Sequence, residues 1–419
     1  MPQPIPDDSK NPSADVRMRG FVQRSTVEEV LAWLGETIAP LGSEPVSVTC
    51  AAGRVLAADV AASCNVPGFE RSMMDGYAVI ADQTLGATPY QRIPLAIIDQ
   101  SLPGRPATRL LERDTAIRIM TGAPLPVGAN AVLPAEFTEA DGEQIWIQGE
   151  VPPGKNVGRV GEDIAQGDVI LKSPRRLRPQ DVGVLSSAGV DEVPVICQPK
   201  VRIVVTGDEL LPAGSTPSGY QITDANGPML HALCVRDGAQ PVHPGIVPDQ
   251  PEAIRAAMHS DVDVVLVSGG SSVGQEDHAP LLLASDGELR FHGIAMRPSS
   301  PTGMGRLGNR LVFLLPGNPV SCLCAYDFFA GRAIRTLAGR NPDWPYRCVQ
   351  RQLRRKLVST VGRVDYARVR FVADQIEPLA ISGASILSST TRADGFVIVP
   401  ADSEGYPARS SVEMWLYEP

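Results

Sequence analysis

The chain has 419 residues, enough for two to four domains at about 100–200 residues each. Hydrophobic residues make up 43%, which supports several packed cores and excludes a disordered chain. Lys and Arg number 38 against 47 Asp and Glu, a net charge of −9, so a general affinity for nucleic acid or anionic membrane is excluded and an anionic ligand needs a local positive site.

Residues 1–20 are polar and proline-bearing, without a hydrophobic signal core, and are expected to be disordered. No apolar run approaches the roughly 20 residues that span a bilayer. The cysteines (Cys50, Cys64, Cys197, Cys234, Cys322, Cys324 and Cys348) are scattered, with no C-x-x-C pair. That argues against a disulfide framework or zinc site and for buried thiols in a reducing compartment. The expectation is a cytoplasmic protein.

Residues 26–38 place Val27, Val30, Leu31, Leu34 and Ile38 at helical spacing, with Ser25 or Thr26 as cap and Glu28 and Glu29 in the first turn. Over residues 46–171 short apolar runs (YAVIAD, RIPLAIID, TAIRIM, AVLPAEF, EQIWIQG) alternate with Gly, Pro and Asp turns, the texture of an all-β region. From residue 201 to about 337, VRIVVTG, DVDVVLVSGG and RLVFLLPGNP are continuous apolar runs, as buried parallel strands are. Helical stretches at 226–234, 251–258 and 320–337 lie between or after them, predicting a doubly wound α/β domain. Residues 347–419 return to short strands (ARVRFVA, FVIVP, SSVEMWLYE), which fit a small barrel or sandwich.

Each apolar strand of the α/β region runs into a glycine-bearing turn, and ligands in such sheets sit beyond the carboxyl ends of the strands. The first turn, 206–214, carries Asp208 and Glu209; for that pair alone an ordinary turn with solvated acids is the simpler reading, a carboxylate for Mg²⁺ the functional one. The second, 267–278, holds Gly269, Gly270, Ser272 and Gly274, whose amides can cradle an oxyanion, with Asp277 close behind. It is not a P-loop, since no Lys follows the glycines. The third, 314–324, sets Pro316, Asn318 as cap, Pro319 and Ser321 at a helix start; a well-capped helix explains it equally well. Upstream, 295–303 (AMRPSSPTG) holds Arg297 on a proline-stiffened loop, a plausible oxyanion clamp. The segments PGFERSMMDGYAV and RIMTGAPLPVGANAVLPAE stand out, yet composition gives neither a function.

Together these segments resemble the molybdopterin molybdenumtransferase family, the MoeA and gephyrin E-domain group, in order from about residue 26 to 412. The resemblance is carried by S-M-M-D-G-Y-A (72–78), M-T-G-A-P-L-P (120–126), G-E-D-I (161–164), T-G-D-E-L (206–210), D-A-N (224–226), G-G-S-S-V-G (269–274), P-G-N-P-V-S (316–321) and S-S-T-T-R-A-D-G (388–395). It implies insertion of molybdenum from molybdate into adenylylated molybdopterin, with Mg²⁺ and release of AMP. It implies a multidomain fold: a central doubly wound α/β domain (193–340), a β-rich domain (61–157), a small discontinuous linking domain (21–60 and 158–192) and a C-terminal β-barrel-like domain (341–419). It also implies a homodimer whose active cleft is shared between subunits, with a molybdopterin adenylyltransferase and molybdoenzyme apoproteins as candidate partners. Carried over residue by residue, Asp75, Thr121, Glu209, Asp249 and Asp277 match catalytic positions, Glu209 and Asp277 also as metal ligands. Gly269, Gly270, Ser272 and Gly274 match the phosphate-binding loop. Arg297, Pro298, Pro316, Asn318, Ser321, Arg363, Arg368 and Ser388 match cofactor and oxyanion contacts.

Two departures stand out. Where the family commonly reads K-P-G-K-P, this chain reads Arg297-Pro298-Ser299-Ser300-Pro301, so the second lysine is Ser300 and the glycine is Ser299. Asp394 stands where Asn is usual. A charge-assisted contact is worth about 1.5–3 kcal/mol, so either Arg363 or Arg368 compensates, or molybdate binds weakly, or the anion differs. Otherwise the chain is a non-catalytic molybdopterin-binding scaffold, or a paralogue with altered oxyanion use such as tungstate.

Overall fold

The computed structural model describes residues 21, 24–270, 277–380 and 385–418. The chain divides into two compact units, Pro45–Val195 and Met1–Glu44 with Ile196–Pro419. Helix α1 (Val27–Thr37) belongs to the second. Thr26 Oγ1 accepts from the Glu29 amide at 3.1 Å and Glu29 Oε2 from the Thr26 amide at 2.9 Å. This reciprocal box satisfies two otherwise orphaned donors. Val27, Val30 and Leu34 are buried in the α/β core.

In the unit Pro45–Val195, six strands form one sheet: β1 (Gly76–Val79), β2 (Ile93–Ser101), β3 (Thr115–Ile119), β4 (Ala131–Pro134), β5 (Thr138–Asp141) and β6 (Gln144–Ile147). Their order is β4-β1-β3-β2-β6-β5. Strand β1 is buried on both faces: Tyr77 and Val79 join Leu133, Ile145 and Ile147 on one side, Ala78 joins Ile117 and Val132 on the other. That explains its unbroken apolar run, and why Gly76 is glycine: a Cβ there would lie 2.0 Å from the Leu133 carbonyl oxygen. Val48, Leu56, Val60, Leu171, Leu177, Val193 and Val195, with Leu185 of helix α2 (Pro179–Ser187), build a separate small core from two distant stretches of chain.

In the other unit the principal sheet contains β7 (Lys200–Thr206), β8 (Gln240–Val242), β9 (Val264–Ser268), β10 (Glu288–His292), β11 (Gly303–Leu307) and β12 (Arg310–Leu315), ordered β8-β7-β9-β12-β11-β10. The first four are mutually parallel; β10 and β11 add an antiparallel edge. Val201, Ile203 and Val205 pack on one face with Leu230 of α3 (Asn226–Asp237) and with the helix α6 (Pro319–Ala325), which runs through a wider turn at Tyr326–Ala330 into α7 (Gly331–Leu337). Val204, Val265 and Val267 pack on the other with α4 (Pro251–Met258) and α5 (Ala279–Asp286). Helices on both faces make the sheet doubly wound, as expected, and account for the mostly apolar central strands.

The C-terminal strands β13 (Arg347–Leu353), β14 (Val364–Val372), β15 (Gln375–Ala380), β16 (Gly395–Val399) and β17 (Ser411–Leu416) close into a barrel, because β14 pairs with both β15 and β16. Leu353, Ala367, Val369, Ile376, Val397, Val399 and Met414 fill its interior. Tyr366 and Phe396 turn the other way and stack at 4.1 Å inside the α/β core. Met296–Arg297 adds a parallel strand beside β14.

A buried ionic network locks the α3–α7 contact. Asp237, fully buried, accepts from Arg236 Nη2 and Arg335 Nη1, both at 2.9 Å, and from the Tyr326 hydroxyl at 3.1 Å. Arg335 is itself 3% exposed. Removing one member of such a network leaves an uncompensated buried charge. Asp237→Ala should therefore lower unfolding free energy by about 3–5 kcal/mol, read from the urea midpoint; a change within about 0.5 kcal/mol, the scale of ordinary surface substitutions, would contradict this.

Candidate active cleft

The carboxyl ends of β7, β9 and β12 open on a cleft of about 930 Å³. The strand order reverses beside β7, so this is the switch point where α/β sheets bind ligands. Close backbone approach shapes the floor. Gly269 has φ +96°, and a Cβ there would lie 2.2 Å from the Thr206 carbonyl oxygen; Gly270 has φ +55°. Asn226, at the start of α3, donates from Nδ2 to Ser268 Oγ at 2.9 Å and to the Gly317 carbonyl at 2.7 Å. One side chain thus ties the helix start to two strand-end loops. Its buried Oδ1, which has no partner among the described residues, is an acceptor held at the cleft wall. The sequence singled out Asp224–Asn226 without assigning this role.

Glu209, Asp224, Asp249 and Asp277 line the cleft. Thr206 Oγ1 donates to Asp249 at 3.2 Å. Asp224 accepts from the Gly227 amide at 2.8 Å and faces His243 Nε2 at 3.3 Å. No lysine or arginine is among the described lining residues. Among the described residues no three carboxylates, thiols or imidazoles converge on one point as a metal cluster. Pro316 and Asn318 line the third loop; Asn318 makes no side-chain capping bond, so its amide stays in the cleft wall. Ser272 and Gly274 lie outside the described residues. Ser385, which sequence reasoning passed over, lines the cleft, whereas Ser388 receives Arg392 Nη2 at 3.2 Å on an exposed helix turn.

The loop 297–301 borders this cleft through Pro301. Arg297 is not open to an anion on all sides. Its Nε donates to Asp365 Oδ1 at 2.8 Å and its Nη2 to Asp365 Oδ2, and Ser359 Oγ donates to the same carboxylate at 2.6 Å. This pairing raises the Arg297 pKa. Pro298 is buried. Ser299 adopts φ +92°, a left-handed conformation costly for a side chain, and its hydroxyl donates to the carbonyl of the buried Ser321. Ser300 Oγ donates to the Ile294 carbonyl at 3.1 Å and accepts from Arg24 Nε at 3.0 Å. Arg368 is fully buried, alternating with barrel residues Ala367 and Val369. Arg363 is half-buried beside the strand that meets Met296.

In the unit Pro45–Val195, Asp75 and Thr121 meet directly. The Thr121 amide and hydroxyl both donate to Asp75 Oδ1 at 2.7 Å. The two bonds hold the Asp75 carboxyl below the usual aspartate range, the amide having the larger effect. Around them Phe69, Met73, Met74 and Met120 are exposed.

Comparison with known proteins places this architecture in a class. Residues 202–336 match the family described as a probable molybdopterin binding domain, 25–189 the MoeA N-terminal region (domain I and II), and 350–417 the MoeA C-terminal region (domain IV). The chain is 34% identical over 385 residues to molybdopterin molybdenumtransferase 2 of Mycobacterium tuberculosis, covering 88% of this chain and 94% of that protein. It is 30% identical over 385 residues to molybdopterin molybdenumtransferase of Haemophilus influenzae, covering 89% and 93%. A crystal structure of the molybdopterin biosynthesis MoeA protein from Pyrococcus horikoshii OT3 superposes with a TM-score of 0.73 at 31% identity, covering 94% of this chain and 100% of that one. The chain belongs to the MoeA family.

Two outcomes test the local geometry. Gly269→Ala should destabilise the α/β unit by at least about 1–3 kcal/mol, since it combines a left-handed backbone with a clash; an unchanged urea midpoint would refute the close approach. Carboxyl NMR should find Asp75 titrating below the usual aspartate value. Its stabilising effect is then full above that value and lost as pH falls through the folded pKa. Thr121→Val should move the titration only part of the way back, because the amide bond remains.

Proposed function

We propose that the chain is a molybdopterin molybdenumtransferase: it inserts molybdenum from molybdate into adenylylated molybdopterin and releases AMP. The observation that carries this is the joining of a small-residue loop, Gly269–Gly270, with Glu209, Asp249 and Asp277 at one switch-point cleft. Backbone amides at the glycine turn suit a phosphate. The carboxylates orient a water against the phosphoric anhydride and accept its proton. The water oxygen bonds to phosphorus as the bridging oxygen leaves, giving AMP and the pterin monophosphate. The all-oxygen donor set fits Mg²⁺, which uses one or two carboxylates together with substrate phosphates; Glu209 and Asp277 would hold it. It would neutralise charge on the pyrophosphate. The relatives' names, molybdopterin molybdenumtransferase, support the transfer of molybdenum.

The proposal includes a homodimer in which Asp75 and Thr121 of one subunit serve the cleft of the other. The exposed Phe69, Met73, Met74 and Met120 around that pair support it, since such rims mark interaction surfaces. One observation favours a second reading, a molybdopterin-binding scaffold without turnover: the engagement of Arg297 by Asp365 weakens the loop's pull on molybdate.

AMP release from adenylylated molybdopterin, with Mg²⁺ and molybdate titrated, decides between them. Molybdate-dependent AMP release supports the transferase; tight pterin binding with no release supports the scaffold. Asp277→Asn should lower the rate by about 10²-fold or more. Mixing Asp75→Asn with Asp277→Asn protein and allowing exchange should restore about a quarter of wild-type activity, since half the dimers are hybrids with one intact cleft. No recovery would overturn the shared cleft.

A further inference from the structure

We propose that Arg24, from the segment before α1, is the cation that meets the tetrahedral oxyanion at the 297–301 loop. The inference rests on the functional reading above and names a residue that the loop itself does not contain. Among the described residues the cleft is lined by four carboxylates, Glu209, Asp224, Asp249 and Asp277, and by no lysine or arginine. A dianion entering there is repelled unless a positive group stands at its edge. The loop's own arginine is committed: Asp365, fully buried, takes two donors from Arg297. The next charge-bearing position, 300, is a serine with a hydroxyl only.

Arg24 reaches that position. Its Nε donates to Ser300 Oγ at 3.0 Å, one residue from Pro301 at the cleft wall. Its contacts among the described residues are that bond and the Phe21 ring, and neither is with a carboxylate. The backbone beneath it is fixed to the base of the same loop. The Ser25 amide donates to the Gly293 carbonyl at 3.0 Å, and the Ala295 amide donates to the Ser25 carbonyl at 2.8 Å. The Thr26 capping box then anchors the segment to α1. On the other side the Phe21 ring lies 6.0 Å from the guanidinium and packs edge-on to His292 at 5.0 Å. Gly293 allows this approach: a Cβ there would lie 2.4 Å from the Phe21 ring. The guanidinium is thus carried on a pinned stem, with its Nε bonded to the loop and its remaining N–H groups available for a planar, bidentate contact with oxygen atoms.

The test is calorimetric titration of the full-length chain with sodium molybdate at low ionic strength, repeated as molybdate dependence of AMP release. Arg24→Ala should weaken molybdate binding about tenfold or more, as loss of one charge-assisted contact does. Arg24→Ala combined with Ser300→Lys should recover most of that loss, because it returns a cation to the same point from the other strand. A thermal melt of each variant reports folding. If wild type binds molybdate and Arg24→Ala binds equally well, the proposal is overturned and the transferase reading stands. If Arg24→Ala is weaker but Ser300→Lys restores nothing, the residue only shapes the loop and the proposal also falls. If Arg363→Ala alone abolishes binding while Arg24→Ala does not, the cation is Arg363. No molybdate response in wild type by either readout would overturn both the transferase reading and this one.

Discussion

The close approach of three backbone segments at the carboxyl ends of β7, β9 and β12 is the constraint on which the cleft depends. Parallel strands buried on both faces give a rigid platform, but their last residues must turn away within a few ångströms of each other. Gly269 lies where any side chain would strike the Thr206 carbonyl. Asn226 then bridges the gap that remains, bonding Ser268 and Gly317 with one amide group. Packing therefore fixes the distance between the loops, and hydrogen bonding fixes their angle. The acids are placed on this frame, along the open edge of the cleft.

Charge is arranged by the same logic. The acids lie on the α/β edge, while the arginines sit around the loop that connects sheet and barrel. Asp327 and Asp237 show how the fold treats carboxylates that serve only to hold it together: each collects arginine and tyrosine donors. The cleft acids stand at the surface of a pocket instead. Among them Asp249 accepts from the Thr206 hydroxyl and Asp224 from the Gly227 amide.

Much of this was legible in the sequence, for identifiable reasons. The helix at 27–37 has a reciprocal cap and a clean apolar stripe, and the three central strands are mostly apolar because both faces are covered. The edge was harder. Strand β11 reads GMGRL, and glycines argue against a strand, yet Gly305 is required because a Cβ would lie 1.8 Å from the Glu288 carbonyl. Strand β13, RCVQRQL, carries three polar residues in a row and contributes only Leu353 to the fully buried barrel interior, so its apolar signal is weak. At the site, the sequence pointed to the acids and glycines of the cleft. It did not indicate Ser385, which depends on how the barrel meets the sheet, or the donor shared by Asn226, which depends on two loops far away in the chain.

The loop at 297–301 shows why the charge of a residue and its availability are separate properties. A guanidinium that donates two parallel bonds to a buried carboxylate is oriented well but is nearly neutral to its surroundings. Asp365 also receives Ser359, so moving Arg297 toward a ligand would strip a buried carboxylate of two of the three donors named here. Arg297 is therefore a post that fixes the loop to the barrel. Ser299 bends the chain above it in a left-handed turn, and its hydroxyl bond to the Ser321 carbonyl offsets part of the cost of that conformation. A loop held this firmly by its one arginine draws further positive charge from a different strand, and the segment hydrogen-bonded along Gly293–Ala295 brings Arg24 to Ser300.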